Sequence, residues 1–340
     1  MSQKTRRIEP DYVRAVSMLG VIAIHVSSTF VYLPSNLMFA GMNLAFILNQ
    51  AVRFAVPLFI LLSGLSLGFQ RSGLSYPAFL KGRCLKILIP YLVWSCLYWL
   101  AYHRGQGGAA FAKALVHGSA CSHLYFIIIM LQLYLLYPLL KKAVSRFPLP
   151  SFLISLAISF IAHQAISLSG SGLFVRGPVL QRMWLLFPTW IVYFVAGMLL
   201  HQIGFDRICA WCGKHLWFLL AFAVICAGFY ARESRLTGNL DSIKFSLFLY
   251  TPVILLALLA IGNRLRSHTC LNKVISFMAR HSQTVFFSHI FILIYLRRFP
   301  VLVTGMRGMI LLLLIETILS LFAAWLIDTA VNRVKKLIRK

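Results

Sequence analysis

An arginine and a histidine with a helical spacing lie in the first long apolar run of the chain. Arg14 and His25 stand in the stretch 12–32, where most neighbours are hydrophobic. At about 100° per residue, this spacing places both side chains on one helix face, about 16 Å apart along the axis. A guanidinium can hold a phosphate, and an imidazole can act as a general base. The pair therefore favours a ligand lying along the helix. The alternative is that Arg14 reaches lipid headgroups and His25 joins two helices.

Ionisable or polar residues also interrupt later apolar runs. Arg53 lies in the second run, His123 and Tyr125 open the fourth, His289 lies in the ninth, and Glu316 is the one acid well inside a run. Ionisable groups inside a membrane are costly, and they usually serve function or pair with one another. Arg53 could contact a substrate or a lipid headgroup. Glu316 could pair with one of these His or Arg residues, or only join helices.

Three cations, Lys81, Arg83 and Lys86, precede the third run. Such a group could clamp the phosphates of a nucleotide-like cofactor. It could equally anchor the helix at the cytoplasmic surface.

The elements that must position these residues are membrane helices. Of the 340 residues, 60% are hydrophobic and the mean hydropathy is +0.83, above the usual 45–50% apolar content of soluble domains. The 33 Lys and Arg against 7 Asp and Glu might suggest nucleic acid. The basic residues, however, are scattered between apolar runs rather than gathered in one domain, so we expect no nucleic-acid partner.

A helix needs about 20 apolar residues to cross the hydrocarbon core. The sequence predicts spans near 12–32, 45–69, 86–102, 123–140, 151–168, 187–203, 216–230, 246–262, 282–296 and 308–328. We therefore predict an all-α polytopic membrane protein of about ten transmembrane helices, forming a single domain over 1–340. Both termini and the even-numbered connections carry about twice as many Lys and Arg as the other side, which predicts N-in and C-in.

The seven cysteines do not form the pattern of a disulfide framework. Cys209-x-x-Cys212 is a lone pair without four good ligands, so no metal site is predicted and the role of the pair stays open.

These residues taken together resemble the acyltransferase 3 family of membrane acyltransferases. The matching segments occur in the family's order: Arg14-x10-His25, Arg53-Phe-Ala-Val-Pro57-Leu-Phe running into Ser63-Gly64, the basic stretch 81–86, His123-Leu-Tyr-Phe, and His289 in a late helix. Two features depart from the family pattern. Its Arg-x-x-Arg reads Arg83-x-x-Lys86 here, which keeps the charge but loses a bidentate fork. The glycine that often follows the first-helix arginine is Ala15.

The resemblance implies transfer of an acyl group, usually acetyl, from cytoplasmic acyl-CoA to a hydroxyl of a cell-surface polysaccharide or its lipid-linked precursor. Acetyl-CoA would be the co-substrate, a carbohydrate the acceptor, and the bacterial cytoplasmic membrane the location. The resemblance of Arg14-x10-His25 to the family motif implies that His25 is the catalytic base and that Arg14 is its partner in holding the donor. The donor would also meet Lys81, Arg83 and Lys86, while the acceptor would meet Arg53, His123, Tyr125, His289 and Glu316.

Two other classes of function remain open at this point. Ten helices and scattered intramembrane charge also fit a transporter or flippase for a polysaccharide or lipid-linked sugar, and a membrane sensor without catalysis is a third possibility. The residues leave undecided the acceptor, the acyl chain and the oligomeric state. They also do not distinguish direct transfer from a covalent acyl-histidine.

Overall fold

The computed structural model describes residues 7–31, 38–39, 42–69, 75–170 and 180–338, and most of them are helical. The α-helices in chain order are α1 (Glu9–Ser27), α2 (Leu44–Ala51), α3 (Ala55–Gly68), α4 (Tyr76–Tyr102), α5 (Gly108–His117), α6 (Tyr125–Arg146), α7 (Pro148–Gly170), α8 (Ile191–Lys214), α9 (Leu216–Thr237), α10 (Leu247–Arg264), α11 (Thr269–Leu296), α12 (Pro300–Val303) and α13 (Gly305–Ile338). Two-residue strands β1 (Met38–Phe39) and β2 (Met42–Asn43) pair antiparallel before α2. Two 3-10 helices, η1 (Leu180–Leu185) and η2 (Phe187–Thr189), precede α8.

Eight helical segments in the described part of the chain are long and apolar enough to cross a membrane. They are Leu44–Gly68, Tyr76–Tyr102, Tyr125–Arg146, Pro148–Leu168, Ile191–Lys214, Leu216–Thr237, Leu247–Arg264 and Gly305–Leu337. Helices α1, of 19 residues, and α11, of 28, are also long, but polar side chains interrupt both. The prediction of an all-α polytopic membrane protein is confirmed, whereas the orientation of the termini stays a prediction.

The chain divides into two compact units. Unit 1 comprises Met1–Leu58 and Cys209–Lys340, and unit 2 comprises Phe59–Ile208. Within unit 1, α1 packs against α2, α10, α11 and α13, so the helix that carries Arg14 and His25 lies among four others. Its N-terminal turn contains Pro10, which suits a first turn, and the acids Glu9 and Asp11, which suit the helix dipole.

Unit 2 contains a close backbone crossing of α3 and α8. A Cβ added to Gly64 would strike the carbonyl of Phe194, and one added to Gly197 would strike the carbonyl of Leu61. Only glycine permits this approach, since small residues let membrane helices pack backbone to backbone. Gly64 is therefore a residue of the helix–helix contact.

Several helix limits differ from the predicted runs. The second run is divided by a turn at 52–54, and Pro57 lies in the first turn of the helix that follows. Arg53 therefore lies between α2 and α3 rather than within a helix. Helix α8 is broken at Gly204, where φ is 106°. Helix α4 begins at Tyr76, which places the three cations of 81–86 on its first turns.

Candidate active site

Two histidine rings meet between α1 and α11. The ring centroids of His25 and His289 lie 5.2 Å apart, with 51° between the ring planes. His289 is fully buried, whereas His25 is partly exposed. The Nδ1 atom of His289 lies 3.0 Å from the carbonyl oxygen of Val285 and 2.9 Å from that of Phe286. Because carbonyls only accept, this geometry assigns the proton of a neutral His289 to Nδ1.

An arginine that the sequence analysis did not assign holds the backbone beside His25. Arg297, directly after α11, donates from Nη2 to the carbonyl oxygen of His25 at 2.7 Å. That carbonyl lies in the last turn of α1, where helix carbonyls lack partners in the helix and a cation is favourable. Arg297 also lies close enough to Glu316 for their charges to interact.

Glu316 lies on α13 and is fully buried. Its Oε1 accepts a hydrogen bond of 2.9 Å from the hydroxyl of Ser320, one helical turn later. Its Oε2 has no hydrogen-bond partner among the described residues. The carboxyl group is therefore only half satisfied, and it forms no ion pair with a histidine or arginine within the described ranges.

Arg53 is fixed by an amide that also binds the end of α1. Its Nη2 and Nε donate to Oδ1 of Asn49 at 2.8 and 3.2 Å. Asn49 in turn donates to the carbonyl oxygen of Ile24 and to the hydroxyl of Ser27, both at 3.0 Å. Arg53, Arg297 and His289 all lie close enough to His25 to act on it electrostatically. The name histidine cluster is used below for His25, His289, Arg53, Arg297 and Glu316.

A buried lysine extends this network away from α1. Lys244 lies between α9 and α10 and is 3% exposed. Its Nζ donates to Oε1 of Gln50 at 2.8 Å and to the hydroxyl of Tyr230 at 3.1 Å. Gln50 in turn donates from Nε2 to Oδ1 of Asn49 at 2.9 Å, which links Lys244 to Asn49. Burial, and secondly the charge of Arg53, lower the pKa of Lys244 to about 7.

The cations of this region form no ion pair within the described ranges, although acids lie near two of them. All seven Asp and Glu of the chain lie within the described ranges. Among the described residues, none forms an ion pair with Arg53, Lys244 or Arg297. Glu233, which lies near Lys244, instead accepts hydrogen bonds from the backbone that opens α10. The histidine cluster therefore has an excess of positive charge.

The N-terminal end of α1 is different, because its charges have opposite partners. Glu9 is buried and paired with Arg266, and buried Asp11 accepts a hydrogen bond of 3.0 Å from Ser276. The Nη1 atom of Arg14 lies 3.7 Å from Oδ1 of Asp11, and the Arg14 side chain is 31% exposed.

Between the two ends, α1 is packed. Ser17, Met18 and Val21 lie on the face that runs from Arg14 to His25, and all three are buried. The hydroxyl of Ser17 has no hydrogen-bond partner among the described residues. Arg14 and His25 thus share a face, as the spacing predicts, and both are partly exposed at its two ends.

The remaining predicted site residues belong to unit 2. Lys81 and Lys86 are exposed on α4, and Arg83 between them is half-buried. At about 100° per residue, Arg83 and Lys86 lie about 60° apart around the helix, while Lys81 points to another side. His123 is buried with its ring 5.5 Å from that of Tyr98. The roles of these residues in binding a donor or an acceptor stay predictions.

Tyr125 begins α6, and its ring packs edge-to-face on Trp184 at 5.1 Å. Its predicted contact with an acceptor is likewise untested. Cys209 and Cys212 are buried on α8. The described residues contain no group of three or more His, Cys, Asp or Glu placed to hold a metal ion.

Sequence reasoning missed Arg297, Lys244 and the amide pair Asn49-Gln50 as parts of the site. Arg297 and Lys244 lie in short connections, where a cation is ordinarily a flank of a membrane span. Two adjacent amides within an apolar run were the available signal, because buried amides must find partners.

A family model and several relatives match most of the chain. A family model described as an acyltransferase domain matches residues 7–329. Relatives from Staphylococcus aureus strains MRSA252, MSSA476 and MW2 are named as probable poly-beta-1,6-N-acetyl-D-glucosamine export proteins. Each is 25% identical to the chain over 303 residues, covering 85% of this chain and 83% of the relative. No solved structure matches significantly.

The family match includes α1, most of α13 and every residue of the histidine cluster. The chain therefore belongs to the acyltransferase 3 family of membrane acyltransferases.

Proposed function

We propose that the protein transfers an acyl group, most simply acetyl, from cytoplasmic acyl-CoA to a hydroxyl of a surface polysaccharide or its lipid-linked precursor. The observation that carries this proposal is a partly exposed histidine on a membrane helix with two arginines and a second histidine close by. Membership of the family supports acyl transfer. The names of the relatives support a polysaccharide acceptor.

The proposed topology has both termini in the cytoplasm, so that Arg14 lies at the cytoplasmic end of α1. Acyl-CoA carries several phosphates, and these would stay at the basic cytoplasmic surface. The pantetheine arm contains amides that need hydrogen-bond partners when they are buried. Ser17 lies on the same face with an unsatisfied hydroxyl, but it is fully buried, so the arm reaches it only if the packing of α1 opens.

His25 would act as a general base. Its imidazole takes the proton of the acceptor hydroxyl while the hydroxyl oxygen attacks the thioester carbonyl. The new C–O bond forms, the C–S bond breaks, and the departing thiolate receives the proton from the imidazolium. The ester product and free CoA thus account for all atoms of the two substrates.

The excess positive charge suits the charge that develops in this reaction. The tetrahedral intermediate carries a negative oxygen, and fixed cations or N–H donors in a site of low dielectric stabilise such an oxyanion. Arg53 and Arg297 are held by hydrogen bonds to Asn49 and to the carbonyl of His25. They therefore need little rearrangement before they can act on the intermediate.

A second candidate is export of a polysaccharide or lipid-linked sugar, and the names of the relatives favour it. The two functions make different demands on the donor. A carrier would move sugar without consuming a thioester, whereas the acyltransferase would release one CoA for every ester formed.

The test uses the purified full chain in proteoliposomes with acetyl-CoA labelled in the acetyl group and a surface-glycan extract. We expect release of free CoA and label in alkali-labile glycan esters. Glycan movement across the bilayer without CoA release would contradict the acyltransferase and support the exporter.

A further inference from the structure

A second polar site lies in unit 2, formed by the connections on either side of the α6–α7 pair. The end of α4, helix α5 and the 3-10 helix η1 together line a cavity of about 440 Å³. This volume falls within the range of about 300–1,000 Å³ that is usual for small-molecule sites. Since α6 and α7 are consecutive spans, the connections before α6 and after α7 reach the same end of unit 2.

Two indole rings and an imidazole supply flat surfaces to this cavity. Trp99 lies at the end of α4 and stacks on His103, with 4.5 Å between ring centroids and 25° between planes. Trp184 on η1 is 36% exposed and is braced edge-to-face by Tyr125. Aromatic rings held in this way offer large contact area at little cost in conformational entropy.

Two cations lie at the same cavity without an acidic partner. Arg182 and Lys113 are exposed, and within the described ranges neither forms an ion pair with an Asp or Glu. Arg182 instead donates from Nη1 to Nε2 of His117 at 2.6 Å, while Nδ1 of His117 lies 2.8 Å from the carbonyl of Lys113. This chain of contacts ties η1 to α5 and leaves donors of both cations available.

We propose that this cavity is a carbohydrate site that takes an acidic sugar residue. The apolar faces of a sugar ring can stack on Trp99 and Trp184, and its carboxylate can accept charge-assisted hydrogen bonds from Arg182 and Lys113. A lipid phosphate would use the cations but not the two indole faces. Binding of sugar here is independent of acyl transfer, and only the identification of this sugar with the acceptor chain rests on the proposed function.

The test is a binding titration of the full chain in detergent micelles with trigalacturonic acid as the probe and neutral galactotriose as its matched control. We expect trigalacturonic acid to bind at least about tenfold more tightly than galactotriose. Trp184→Ala and Lys113→Ala should each weaken the binding of trigalacturonic acid by about tenfold. Trp217→Ala, which removes a 76% exposed tryptophan outside the cavity, should leave binding unchanged.

Lys113→Ala keeps the test decisive even if loss of Trp184 perturbs the fold, because the structure shows no hydrogen bond from the Lys113 side chain. Equal affinity for the two trisaccharides would overturn the acidic preference. Binding that survives both cavity substitutions would overturn the site. Competition by phosphatidylglycerol nanodiscs that does not depend on Trp184 would assign the cavity to a lipid headgroup instead. Each of these results can be read whether or not the protein transfers acetyl groups.

Discussion

The two ends of α1 are both polar, but only one of them is electrically balanced. At the N-terminal end, buried Glu9 and Asp11 meet Arg266 and Ser276. At the C-terminal end, Arg53 and Arg297 lie near His25 without an ion-paired acid among the described residues. Paired buried charges commonly join helices, whereas ionisable groups inside a membrane without an ion pair commonly mark a functional site. Under the proposed function, the Glu9–Arg266 pair serves packing and the end that carries His25 serves chemistry.

The largest expected effect is loss of the histidine that the chemistry needs. His25→Asn should lower the rate of acetyl transfer by about 1,000-fold, because a positioned general base contributes about 10²–10⁴-fold. The rate is measured as labelled acetyl-CoA converted to glycan ester. His215→Asn is the matched control, since His215 is an exposed histidine outside the histidine cluster. Equal loss in the two variants would remove His25 from the chemistry.

Arg53→Gln should lower the same rate by about 100-fold, as expected for removal of one oxyanion donor. Its thermal unfolding midpoint should change little, because the guanidinium pairs with no acid. Arg53→Lys keeps the charge but loses the two contacts to Asn49, and it should recover part of the rate. An Arg53→Gln protein with a lower unfolding midpoint and an unchanged rate of acetyl transfer would show that this end of α1 also serves packing.

The opposite pattern is expected at the N-terminal end. Arg266→Gln leaves the carboxylate of Glu9 buried without its cation, so the unfolding midpoint should fall by about 5 °C. The transfer rate of the molecules that stay folded should remain within about twofold of the parent. Circular dichroism at 222 nm during heating, together with the rate at low temperature, separates the two quantities. A large loss of rate without loss of stability would break the contrast between the ends.

The smallest expected effect concerns Lys244 and pH. The pKa of Lys244 is lowered from its ordinary value of 10.5 to about 7, so between these values the unfolded chain binds a proton that the folded chain does not. Stability therefore rises with pH across this window, and below it the destabilising effect of the buried Lys244 cation is complete and no longer depends on pH. The charged groups nearby are Arg53, Glu233 and Asp241.

We expect the unfolding midpoint of the parent protein to rise by about 3 °C from pH 7 to pH 9. Lys244→Met should remove this rise, whereas the exposed-lysine control Lys273→Met should keep it. A parent midpoint that falls over the same interval would mean that Lys244 is stabilised as a cation in the folded protein.

Much of the fold could be predicted because apolar length determines where a helix crosses a membrane. The predicted run 246–262 differs by one or two residues from α10 (Leu247–Arg264). Helix α11 was predicted to begin at 282, yet it begins at Thr269. Its first turns carry polar residues that resemble a connection, but Ser276 binds Asp11 and His281 binds Asp328 across helix contacts. A hydropathy profile contains no information about hydrogen-bond partners on other helices.

The relative placement of site residues could be predicted only where both residues lie on the same helix. Arg14 and His25 could be placed on one face from their spacing alone. The neighbours of His25 come from α11, from the connection directly after it and from the turn at 52–54. The sequence contains no local signal that brings these segments to the end of α1. Polar residues interrupt the apolar runs of α1 and α11. These interruptions were nonetheless a signal of the site, since each of the two helices carries a histidine of the cluster.

The proposed function depends most on His25 as the general base for acyl transfer to a surface glycan. Its most direct test is mass spectrometry of surface glycan from a strain lacking the gene, complemented with the parent, His25→Asn or His215→Asn. We predict ester-linked acetyl groups with the parent and with His215→Asn, and none with His25→Asn at equal protein levels. Full acetylation by the His25→Asn strain would contradict the account.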